Sequence, residues 1–139
     1  MVEGEMTKFA VNTDLLDNAK NVKRLICPSE NAFDAKNEIE KEILSFCNKE
    51  ENPLILLSLG PTATVLSLDI AKHGYQAIDV GHIDMEYIWF NLGVEKPVDI
   101  PWKYMNELKG GNSERERICD KQYESEILKF VGLKEKLSE

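Results

Sequence analysis

The residues Pro53–Leu59 (PLILLSL) constrain the fold more than any other part of the chain. The run is apolar without alternation and has the length of a strand, so both of its faces must be covered. That is the usual state of a parallel strand between layers of helix. Gly60-Pro61-Thr62 ends the run, and Ala63–His73 follows with Val65, Leu66, Leu68, Ile70 and Ala71 at helical spacing before stopping at Gly74. Tyr75–Val80 (YQAIDV) then reads as a further strand closed by Gly81. Upstream, Val22–Cys27 (VKRLIC) reads as a strand that ends at Pro28. From Ser29, a candidate cap, Ala32, Ala35, Ile39, Ile43, Phe46 and Cys47 recur opposite the solvated Lys36, Glu40, Lys41 and Lys49. Strand–helix–strand–helix–strand predicts an α/β fold. It should be a Rossmann-like three-layer domain, with a parallel sheet of at least three strands flanked by helices and joined by right-handed crossovers.

The flanks carry weaker periodicity. Thr13–Lys20 predicts a short helix capped by Thr13 with Leu15, Leu16 and Ala19 inward, and Asp84–Asn91 predicts another. Pro97 and Pro101 mark an irregular crossing, and the KGGNSE stretch (109–114) predicts a flexible loop, centred on 110–114. A last helix from about Lys121 to Val131 is expected to bury Tyr123, Ile127, Phe130 and Val131 and to stop at Gly132, leaving 132–139 as a frayed tail. With 139 residues, the chain is expected to form a single domain over 1–139.

Charge and cysteine usage narrow the function classes. A net charge of −8 and a pI near 4.9 argue against nucleic acid or an anionic membrane as the main partner. No apolar run approaches the roughly 20 residues of a membrane-spanning helix, and the MVEGEMTKFAVN start has no secretory pattern. Cys27, Cys47 and Cys119 are odd in number and lack CxxC spacing, which fits a reduced, cytoplasmic protein whose thiols act as small hydrophobes.

Ligands of open α/β sheets bind where the loops leave the carboxyl ends of the strands. Three such loops are legible: Pro28-Ser29-Glu30-Asn31, Gly60-Pro61-Thr62 and Gly81-His82-Ile83-Asp84. The Gly60-Pro61-Thr62 turn would let a phosphate approach free N–H groups at a helix start, unless Thr62 serves only as a cap. Asp79, His82, Asp84 and Glu86 form the richest cluster. Asp84 and Glu86 make an Asp-x-Glu pair, and on a regular helix positions i and i+2 diverge by about 200°, so they can share an ion only in a loop or at a helix start. Such carboxylates suit Mg²⁺ or Mn²⁺ shared with a diphosphate, and His82 could ligate, hydrogen-bond or carry a proton. The alternative is that Asp84 caps a helix, Glu86 favours its positive end and Asp79 pins a neighbouring loop. Trp89 and Phe90 fit a core; Tyr87 and Trp102 fit a platform for a base or sugar. Asp69, on an apolar helix, needs Lys72 or His73 as a partner.

The segment SLGPTATVLSLDIAKHGYQAIDVGHIDMEYIWF (58–90), with VEGEMTKFAVNTDLLDNAKNVKRLICPSENAFDA (2–35) and more faintly KYMNEL (103–108), resembles the GT-D-type glycosyltransferases. These are bacterial enzymes of exopolysaccharide and adhesin glycosylation. The resemblance implies a transferase that moves a hexose from a UDP-sugar, UDP-glucose foremost, to a saccharide or glycoprotein acceptor with Mn²⁺ or Mg²⁺. The family's Asp-x-Glu metal motif falls on Asp84 and Glu86. Gly60, Pro61, Thr62, Gly81 and His82 match positions on the nucleotide side, and Asp79 and His82 are the candidates for proton transfer. Only the C-terminal half of the family's pattern is present, and Ala10 and Asn12 stand where the family tends to have glycine. The missing half predicts exposed apolar surface, hence a homo-oligomer or a separate chain that supplies it. The competing expectation is a truncated, inactive module that binds nucleotide or a partner without turnover.

Overall fold

The computed structural model describes residues 1–105, 108–111 and 115–133. Five strands form one sheet: β1 (Val2–Gly4), β2 (Arg24–Cys27), β3 (Leu54–Ser58), β4 (Gln76–Asp79) and β5 (Ile127–Phe130), in the order β4-β3-β1-β2-β5. Every pairing is parallel. The α/β reading holds, and the sheet has two strands beyond the three read from the sequence.

One face of the sheet carries the main core. Val2, Leu25, Cys27, Ile55, Leu57 and Leu59 pack against Ile39, Ile43 and Cys47 of α1 (Lys36–Cys47) and Ala63, Leu66 and Ile70 of α2 (Pro61–Lys72). Alternate strand residues point the other way. There Ile26 meets Val11 and Tyr123, the latter on α4 (Lys121–Glu126). A separate cluster joins Met85, Ile88 and Trp89 of α3 (Ile83–Leu92) to Ile100 and Met105. The second face is covered unevenly: β2 is buried throughout, whereas Leu54 on β3 and Ile78 on β4 remain exposed.

Several expectations are corrected. The central strand β1 lies in a segment that offered no strand signal. Thr13–Lys20 is a series of turns rather than a helix, following a loop in which Lys8, Ala10 and Asn12 all have positive φ. The last helix is cut short at Glu126, because Ile127–Phe130 satisfies its backbone by pairing with β2. Ser29 caps no helix; its hydroxyl accepts from the Met6 N–H, and a 3₁₀ turn (Ala32–Ala35) leads into α1. Phe90 is exposed while Trp89 is buried, its indole N–H donating to the Val98 carbonyl at 2.9 Å. The loop expected at 110–114 and the frayed tail at 132–139 lie mostly outside the described residues, which include only Gly110, Gly111, Gly132 and Leu133 of them. Cys27 and Cys47 are buried free thiols and Cys119 is exposed. Among the described residues no helix is long and apolar enough to cross a membrane.

Candidate functional site

The carboxyl ends of β1 to β4 converge on a narrow cleft of about 90 Å³. Gly4 and Thr7 reach it from β1, Ser29 from the turn after β2, Ser58, Leu59 and Gly60 from β3, and His82, Asp84 and Met85 from the turn after β4; Tyr104 closes it. A roomier hollow of about 420 Å³ lies at the opposite end, beside Met1, Lys23 and Leu54 where the strands begin. The connectivity of a parallel sheet gathers loops and helix N-termini at the carboxyl ends, so the smaller cleft is the one with chemistry around it.

Two glycines make the cleft possible. Gly60 precedes α2 with φ 52° and ψ −149°, a conformation closed to residues with a side chain, and Pro61 then starts the helix without sacrificing a hydrogen bond. At Gly4 the limit is space: a Cβ would lie 2.9 Å from the Ser29 Oγ and 3.2 Å from the Thr7 Oγ1.

Of the residues expected at the site, Gly60, His82 and Asp84 line the cleft; Pro61, Thr62, Asp79, Gly81 and Glu86 do not. Thr62 is buried in the first turn of α2, where the cap position belongs to Gly60. Asp79 accepts from the Thr64 hydroxyl at 2.6 Å and from the Gly81 N–H at 3.0 Å, and the Ser58 hydroxyl donates to the Gly81 carbonyl at 2.8 Å. Asp79 and Gly81 thus hold the turn that presents His82. Asp69, away from the cleft, is paired with Lys36 at 2.6 Å and with Lys72, which hold its carboxyl below the usual range.

Asp84 and Glu86 both sit in the first turn of α3, the first buried and the second exposed. Asp84 is 2% exposed: its Oδ1 accepts from the Met85 N–H, and its Oδ2 accepts from the Lys103 ammonium and, at 3.4 Å, from the Ala10 N–H. Glu86, two positions on, is exposed, as the helical rotation of about 200° requires. The pair therefore does not fit a single Mn²⁺ or Mg²⁺ held between both carboxylates.

Sequence reasoning missed the cation that meets Asp84. Lys103 is 1% exposed and also donates to the carbonyls of Thr7 (3.3 Å) and Lys8 (2.5 Å). Burial pulls this ammonium below the ordinary lysine range, and Asp84 pulls the other way. A second buried pair supports the same loop. Glu3 accepts from Arg24 at 2.8 Å and from the Phe9 N–H at 2.7 Å, while Arg24 also donates to the Phe9 carbonyl and to Glu126. Burial opposes the Arg24 charge, but Glu3 and Glu126 more than offset it, and the guanidinium lies 4.5 Å above the Tyr123 ring centroid. Residue spacing offered no signal for either arrangement, since the ion-pair partners are 19 to 102 positions apart.

The comparisons agree with this architecture. The model of the glycosyltransferase GT-D fold matches residues 1–108. The glycosyltransferase GlyD of Streptococcus pneumoniae is 41% identical over 128 residues, which cover 92% of this chain and 15% of that protein. A probable glycosyl transferase of Streptococcus gordonii, Gly, is 38% identical over 92% of this chain and 18% of its own length. Among solved structures, a glycosyltransferase (DUF1792) from Streptococcus sanguinis superposes with a TM-score of 0.83 at 36% identity, over 94% of this chain and 47% of that one. A domain of unknown function 1792 described as having a distinct glycosyltransferase fold gives 0.80 at 41% identity, over 94% and 46%. The chain thus spans about half of the solved relatives and less than a fifth of the curated ones. With its parallel sheet, its strand-tip cleft and a family match over residues 1–108, the chain belongs to the glycosyltransferases of the GT-D fold.

Proposed function

We propose that the cleft at the carboxyl ends of β1 to β4 binds the diphosphate side of a nucleotide-sugar donor, UDP-glucose foremost, as part of a hexosyltransferase site. The observation that carries this reading is the meeting of the Gly60 turn, which opens α2, with the His82–Asp84 turn, which opens α3, at one cleft. Helix N-termini attract phosphate oxygens through unsatisfied N–H groups and the positive end of the dipole. At about 90 Å³ the cleft takes a fragment of a nucleotide sugar, since ligand pockets commonly run from roughly 300 to 1,000 Å³. The solved relatives are about twice as long as the matched part, and in this reading polypeptide of that kind would supply the remaining walls and bind the saccharide or glycoprotein acceptor.

In the transfer, the bond from the sugar's anomeric carbon to the β-phosphate oxygen breaks and its electron pair leaves with UDP. The acceptor hydroxyl oxygen forms the new bond to that carbon and gives up its proton. The N-termini of α2 and α3 meet charge growing on the departing diphosphate. His82 is the group in the cleft suited to hydrogen-bond phosphate or take the proton, and Asp79 holds its turn.

Titration calorimetry with UDP, with and without Mn²⁺, tests the reading. His82→Ala should weaken UDP binding by roughly tenfold or more, while Glu86→Gln, exposed and outside the cleft, should leave it within about twofold. No heat with UDP or UDP-glucose would overturn the donor assignment. A selective loss of Mn²⁺-dependent binding in Glu86→Gln would instead restore the two-carboxylate ion site.

A further inference from the structure

We infer that Lys103 is a positioning residue for the donor cleft: its ammonium clamps the loop after β1 to the start of α3 and so sets the separation of two cleft walls. Thr7 lines one wall and Asp84 the other, and Lys103 reaches both, through the Thr7 and Lys8 carbonyls and through the Asp84 carboxylate. Its three N–H donors are matched by these three acceptors. Both walls need an external hold. Lys8 and Ala10 have φ of 49° and 61°, so this loop does not keep its shape by local preference. Asp84 would otherwise be a buried carboxylate supported by two backbone N–H groups, one of them at 3.4 Å. Lys103 itself is sealed from solvent, so it touches the ligand only through what it holds in place. Tyr104, its chain neighbour, closes the cleft, which ties the 103–104 backbone to the same geometry.

The inference rests on the proposed donor site, and two readouts separate failure of one from failure of the other. Lys103→Met keeps the apolar stem and removes all three donors; Lys103→Gln keeps two N–H donors and serves if the methionine variant does not fold. Hydrogen exchange needs no ligand: amides of residues 7–12 and 82–85 should exchange roughly tenfold faster, with β2 and β3 unchanged. In calorimetry, UDP affinity should fall by about tenfold or more. Ile70→Ala, which loosens the core on the opposite face of the sheet, should lower stability yet leave UDP affinity within about twofold. Unchanged exchange in residues 7–12 of a folded Lys103 variant overturns the clamp, whether or not UDP binds. UDP affinity as strong as that of the unsubstituted chain, or no weaker than that of Ile70→Ala, overturns it as well. If the unsubstituted chain gives no heat with UDP, the donor reading fails and the exchange result alone decides the clamp.

Discussion

Glu3 is the second residue of a three-residue strand and has no exposed surface, an unusual place for a carboxylate. It is tolerable because Arg24, on the adjacent strand β2, supplies the countercharge, and because the Phe9 N–H occupies its other oxygen. Removing one partner of such a pair costs more than the pair itself contributes, since the remaining charge stays buried. Glu3→Gln should therefore lower unfolding free energy by about 3 kcal/mol in urea titration. The same reasoning explains why Glu3 was not legible as a strand residue. A charged position in a short VEG segment reads as surface until Arg24 is placed beside it. His82, by contrast, was legible as a residue of the strand-tip cleft, which it lines, because it follows a strand at the point where a parallel sheet delivers its loops.

At the scale of elements, the loop after β1 is the part most at odds with its own residues. Ala10 and Asn12, noted above at positions where the family tends to have glycine, sit at φ of 61° and 60°. Asparagine accepts this region readily, while alanine does so at a cost of about 1 kcal/mol. Ala10→Gly should thus raise the urea midpoint by the equivalent of about 1 kcal/mol without moving the exchange protection of β2. A fall in stability would mean that the alanine methyl, which is nearly buried, contributes more by packing than its backbone loses. The pieces read correctly were those with long-range-independent signals: the PLILLSL strand, the Pro61 helix start and the α1 stripe of Ile39, Ile43 and Cys47. β5 was misread because Ile127–Phe130 fits helix or strand equally by pattern, and only the open edge of β2 decides between them.

For the molecule as a whole, burial of weak acids on both faces of the sheet makes stability fall at alkaline pH. Burial, with smaller contributions from Glu3 and Glu38, pushes the Cys27 thiol up from 9.0 to about 12, and burial with Glu3 also raises the Tyr123 phenol. The unfolded chain releases the Cys27 proton from about pH 9 while the folded chain keeps it, so the unfolded state binds fewer protons and stability falls as pH rises from about 9 to 12. The slope for this group should approach about 1.4 kcal/mol per pH unit, and Cys27→Ala should remove that part of it in urea titrations at pH 8, 10 and 11. An identical slope in the variant would show that other groups carry the alkaline loss. The α/β class, the order of the middle elements and the loops around Gly60 and His82 were determined by sequence alone, because hydrophobic period, glycine and proline act over a few residues. Five-strand order, the burial of Asp84 and its pairing with Lys103 were decided only in three dimensions. Buried charges choose partners by proximity across the sheet, and no local pattern encodes a contact between residues 8 and 103.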